Sequence, residues 1–134
     1  MTLEKARKII QSNFCMDEGS LCLLLHDECV FSEEAFWDFY KAVATVIQIA
    51  KKEACLTAQI TVAYQRFLQE IIFHFDPKDV AEIKGFPENY YDYIERLDYA
   101  IRAYLENKPD LLEDNLFDLQ RTPSNLEKQN PLNN

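Results

Sequence analysis

The sequence predicts an all-α protein, a helical bundle of about five to six helices, mostly antiparallel, with a flexible C-terminal tail. Three observations carry this. Apolar residues recur at spacings of three and four through most of the 134-residue chain, which is the period of a helix with one buried face. Only 2 residues are glycine, too few for the positive-φ turns of a many-stranded antiparallel sheet. Hydrophobic residues make up 48% and charged residues 28%, the balance of a chain that buries a core. A chain of this size buries about two-thirds of its unfolded surface and can stand without disulfides or metals.

Residues 2–13 read as a short helix with Leu3, Ala6, Ile9 and Ile10 on one side and Thr2 as its cap. The stretch from Phe14 to Phe31 leaves two readings open. Its apolar run Leu21-Cys22-Leu23-Leu24-Leu25 suits a buried helix or, as the alternative, a buried strand, with a turn at Gly19-Ser20 before it. Ser32, Glu33 and Glu34 place an N-cap and two acids in the first turn of a helix expected to run to Glu53. Its apolar positions are 36, 39, 40, 43, 46, 47 and 50, and Lys51 and Lys52 close its C-terminal end.

Thr57 is the expected cap of the next helix, which runs to Phe75 with Ile60, Ala63, Tyr64, Phe67, Leu68, Ile71 and Phe75 facing inward. Asp76-Pro77 reads as a cap plus a first-turn proline, so a short helix is expected to follow as far as Gly85. Pro87 begins another, with Tyr90, Tyr91, Ile94, Leu97, Ile101, Tyr104 and Leu105 as its inner face. Asp110 starts a last short helix carrying Leu111, Leu112, Leu116, Phe117 and Leu119. Phe39, Ile47, Phe67, Ile71, Ile94 and Leu97 are the expected centre of the core. Residues 1–121 thus form one domain, and 122–134, rich in Asn and Pro, form a flexible tail.

The formal net charge of −9 disfavours direct contact with nucleic acid or anionic lipid and favours a basic partner. No long apolar core or small-residue cleavage site follows the basic start of the chain, and no apolar run is long enough to span a membrane. The expected location is therefore the cytoplasm, where the 4 cysteines stay reduced.

Most site chemistry is missing. A di-iron bundle needs Glu-x-x-His pairs on two helices, whereas Glu70 and His74 lie four apart and only His26 remains. Cys22, His26 and Cys29 would gather on a helix, but three such residues at that spacing read first as small buried hydrophobes around a histidine, so no metal and no cofactor is expected. A cysteine beside His26 or His74 is the one conceivable nucleophile–base pair, and it is not specific. No catalytic residue is assigned, and the chain is expected not to be an enzyme.

What stands out is charge. Between Asp76 and Asp118 there are twelve acids against five bases, so this third of the chain carries −7 of the −9. Glu88, Asp92 and Glu95 fall at i, i+4 and i+7 on the helix expected after Pro87, with Tyr93 and Tyr99 nearby. Like charges at that spacing destabilise a helix by a few tenths of a kcal/mol per pair, so local stability does not explain them. A solvated face accounts for them in one reading. In the other, Asp79, Glu82, Glu88, Asp92, Tyr93, Glu95 and Tyr99 form a docking surface for a basic protein.

The segment Phe86-Pro-Glu-Asn-Tyr-Tyr-Asp-Tyr-Ile-Glu-Arg-Leu-Asp-Tyr-Ala-Ile-Arg-Ala-Tyr-Leu105, with the chain's small size and acidity, resembles bacterial toxin-immunity proteins of the contact-dependent growth-inhibition and colicin types. The resemblance implies a cytoplasmic inhibitor that occupies a basic toxin, a nuclease, with carboxylates in place of phosphates. The alternative is a helical adaptor or regulatory protein with an unrelated protein partner.

Overall fold

The computed structural model describes residues 1–78 and 82–122. The described residues form five α-helices: α1 (Leu3–Cys15), α2 (Leu21–His26), α3 (Glu33–Val46), α4 (Ala54–His74) and α5 (Tyr90–Glu106). Two short 3-10 turns, Pro109–Leu112 and Asp114–Leu116, follow. The all-α expectation holds, and the tail assigned to 122–134 lies outside the described residues apart from Thr122.

Three of the helix starts are set by side-chain caps, two of them, Thr2 and Ser32, as expected. Thr2 Oγ1 accepts from the Lys5 amide at 3.1 Å. Ser20 Oγ accepts from Leu23 N–H at 3.2 Å, so the open segment around Leu21 resolves to a short buried helix. Ser32 Oγ accepts from Ala35 N–H at 3.1 Å. Gly19, at φ +81°, supplies the left-handed residue of the turn before α2.

Other boundaries differ from expectation. α3 stops at Val46 rather than Glu53. Thr45 Oγ1 donates back to the Lys41 carbonyl at 2.7 Å, and the next bonds, Gln48 N–H to Thr45 O and Ile49 N–H to Val46 O, are tightened three-residue turns. The β-branched run Thr45-Val46-Ile47 favours that unwinding. α4 starts at Ala54, not Thr57; Thr57 lies inside it and its hydroxyl bonds the Tyr104 hydroxyl at 2.7 Å.

No helix covers residues 82–85. Lys84 instead pairs with Val30 as a single parallel β-bridge, in which Phe31 N–H donates to Lys84 O at 2.9 Å and Lys84 N–H to Cys29 O at 2.7 Å. Gly85 follows at φ +70°, and an added Cβ would meet the Phe31 carbonyl at 3.6 Å. The bridge ties the α2–α3 link to the chain before α5. α5 itself begins at Tyr90, after a turn in which the Asp92 amide donates to Asn89 O at 2.9 Å, and not at Pro87. The last expected helix is the pair of 3-10 turns.

α1 packs against α3 and α4, and α5 packs on α3 and on the turns that follow it. Of the expected core, Phe39, Phe67, Leu97 and Ile71 are buried, whereas Ile47 and Ile94 are half-buried at its margin. Leu3, Tyr91 and Leu105, expected inside, are exposed.

Two buried polar side chains join the layers. Asn13 donates to Ile9 O at 2.9 Å and accepts from Cys22 N–H at 3.1 Å, which fixes the end of α1 to the start of α2. Arg96, 0% exposed, lies over the rings of Trp37, Tyr40 and Phe117 and pairs with the Asp114 carboxylate. At the surface Arg7 grips Glu53 through two bonds of 2.6 and 2.7 Å, linking α1 to the cap of α4.

Candidate docking surface

At 21 residues α4 is the longest helix, about 31 Å at 1.5 Å per residue, against about 20 Å for the 13-residue α1 that packs on it. Among the described residues, apolar side chains at its C-terminal end are left largely open to solvent. Ile72, Phe73 and Phe75 are exposed, Phe75 by 54%. Asp76-Pro77 ends the helix there, with Asp76 Oδ1 accepting from Lys78 N–H at 2.9 Å.

The chain returns past this end through residues 82–90. His74 Nδ1 accepts from the Ile83 amide at 3.1 Å, and its ring stacks on Phe86 at 3.9 Å and 18°. Phe75 meets Phe86 edge-on at 5.4 Å and Tyr90 at 5.0 Å. Together with Pro87 and Glu88 these rings line an open groove of about 540 Å³. Tyr91, 65% exposed, stands beside it on α5. None of these aromatic residues was assigned to the surface from sequence. Phe75, Tyr90 and Tyr91 fit the apolar helical period, which says nothing of how far a helix overruns its neighbours.

The carboxylates expected to form the docking face lie around the same end. Glu88 is exposed and lines the groove, two residues before α5 rather than within it, so only Asp92 and Glu95 belong to one helical row. Asp92, in the first turn of α5, and Glu95 are half-buried, and Glu82 is exposed just before the bridge. None of Glu82, Glu88, Asp92 and Glu95 forms an ion pair among the described residues. Tyr99 is half-buried a turn beyond, edge-on to Phe117 at 5.1 Å, with Arg102 over its ring. Asp79 lies outside the described residues.

Tyr93 is a correction. It is 7% exposed, and its ring is edge-on to Phe31 at 5.0 Å and to Phe36 at 4.9 Å. One residue advances a helix by about 100°, which turns Tyr93 to the inner side while Asp92 stays at the rim. It supports the surface from beneath and is not part of it.

The histidines and cysteines are placed as follows. His26 Nδ1 lies 2.7 Å from Glu70 Oε1. Cys22 is buried, donates to the Ala63 carbonyl at 3.5 Å, and has its thiol pushed up to about 12 by burial. Cys29, half-buried at φ +52°, directs its sulfur to the His26 carbonyl at 3.9 Å. Cys15 and Cys55 are exposed, so the reading of the cysteines as small buried hydrophobes holds only for Cys22. Among the described residues no group of three His, Cys, Asp or Glu side chains is placed to hold a metal, and no helix is long and apolar enough to cross a membrane.

No protein-family model, no curated protein and no solved structure matches this chain.

Proposed function

We propose that the chain is a non-enzymatic, cytoplasmic inhibitor of the bacterial immunity type, which neutralises a basic protein toxin, a nuclease, by covering it with the surface around Glu88. The observation that carries this reading is the pairing of exposed aromatic rings with carboxylates that form no ion pair among the described residues. A solvated acidic face accounts for Glu82, Glu88, Asp92 and Glu95 taken alone. It does not account for Phe75 and Tyr91 standing in water beside them, because apolar rings rimmed by polar groups mark an interaction site.

The two components have different roles. The rings supply area that is removed from water on contact, the principal source of affinity. The carboxylates raise the rate of encounter with a cationic surface and repel wrong partners. A nuclease presents cations to bind phosphates, and the carboxylates meet those same cations.

The test uses the reading frame beside this chain's gene. Its product is expressed with and without the chain, and cell survival is scored. The reading expects survival only when the chain is present, and loss of protection for Glu88→Lys/Asp92→Lys/Glu95→Lys with its helical content retained. Equal protection by the triple variant removes this surface from the proposal. A neighbouring product that is neither toxic nor bound overturns the inhibitor reading itself.

A further inference from the structure

The interior of the protein contains a worked example of cation recognition. Arg96 lies 4.3 Å from the centre of the Phe117 ring, 5.1 Å from Tyr40 and 5.4 Å from Trp37, with the Asp114 carboxylate as its counter-charge. The groove at the end of α4 brings together the same ingredients on the surface. Phe75, Phe86 and Tyr90 present rings within 5.5 Å of one another, and Glu88 supplies a carboxylate at the wall. The cation–π contacts among the described residues fall on the rings of Phe14, Trp37, Tyr40, Tyr99, Tyr104 and Phe117, and none falls on a ring of the groove.

We propose that the groove receives one arginine side chain of the basic partner, its guanidinium laid against Phe75, Phe86 and Tyr90 and paired with Glu88. This rests on the reading of the partner as a basic protein, and it names the side chain the surface selects. Arginine fits better than lysine because its guanidinium is planar, weakly hydrated and able to stack on a ring while it bonds a carboxylate. An apolar side chain fits worse, since it would strip water from Glu88 and return no hydrogen bond. A phosphate or nucleic acid is disfavoured by Glu88 in the groove lining.

The intact chain is titrated with the capped tripeptide Gly-Arg-Gly and with its citrulline and norleucine counterparts, while the aromatic resonances are followed by NMR. Saturable shifts at Phe75, Phe86 and Tyr90 are expected with the arginine peptide, which binds about two- to fivefold more tightly than the uncharged citrulline peptide. Glu88→Gln and Phe75→Ala, both at exposed positions, are each expected to weaken the arginine response. No saturable shift, or an equal response to norleucine, overturns the assignment. Protection of cells without any arginine-specific shift overturns the groove alone and leaves the inhibitor reading standing. An arginine-specific shift from a chain that protects nothing upholds the groove and overturns the inhibitor reading.

Discussion

Arg96 and Asp114 form an ion pair with unequal partners: the guanidinium is fully buried, whereas the carboxylate is 69% exposed. Nε and Nη1 of Arg96 are buried with no hydrogen-bond partner, so the site holds its cation through rings and one carboxylate. This pair joins α5 to the turn that carries Phe117, and it sets the first prediction.

Arg96→Ala should cost about 3–5 kcal/mol in urea unfolding, because it empties a large volume between Trp37, Tyr40 and Phe117. Arg96→Met should cost much less, since it fills most of that volume and removes two buried nitrogens whose hydrogens have no acceptor. Asp114→Asn should cost more than Arg96→Met, because it leaves the buried cation without its counter-charge. Equal losses for the Met and Ala variants would contradict this.

Asn13 is the second test of a buried polar contact. Asn13→Leu should destabilise by about 1–3 kcal/mol, since the Cys22 amide is left buried without an acceptor. Asn13→Asp keeps an acceptor for that amide but loses the donor to Ile9 O, and buries a carboxylate. Amide exchange at Cys22 distinguishes the two: it should rise in the Leu variant and stay slow in the Asp variant.

Alkaline pH should unfold the protein. Burial raises the Cys22 thiol from 9.0 to about 12. Burial first, and Asp98 second, raises the Tyr64 hydroxyl from 10.0 to about 12, and burial raises Tyr40 and Tyr93 in the same direction. In each case the unfolded chain releases its proton at a lower pH than the folded one. Their stabilising contribution is thus whole below about pH 9 and is lost as pH climbs toward 12. The melting temperature is expected to be level from pH 7 to 9 and to fall steadily above that, less steeply for Tyr64→Phe. A thiol reagent at neutral pH should find Cys15 and Cys55 first, and Cys22 only on unfolding.

Much of the fold was legible because its signals are local. Thr2 and Ser32 cap the helices they are expected to cap, and the three-and-four period locates α1, α3, α4 and α5. The errors arise where distant parts of the chain decide. Lys84 is held in a bridge by Val30, which lies more than fifty positions earlier. Arg96 counts as one more surface base in the charge pattern, yet helical rotation carries it to the core beside Leu97 and Ala100.

The proposed docking surface was legible in its charges and not in its rings. Glu82, Glu88, Asp92 and Glu95 are written into the sequence as an excess of acid. Phe75 fits a buried stripe equally well, and its exposure goes with α4 being longer than the α1 that packs on it, a relation between two lengths that no single helix records. Tyr91→Ser should accordingly leave unfolding stability within about 0.5 kcal/mol while it weakens capture of the partner.

The most direct test is the association rate of the chain with the purified product of the neighbouring frame, followed from 50 to 500 mM salt. The account predicts a rate that falls steeply with salt for the wild type, and a rate for Glu88→Lys/Asp92→Lys/Glu95→Lys at least about tenfold lower at the lowest salt and nearly independent of it. Superimposable rates for the two proteins across that range would contradict it.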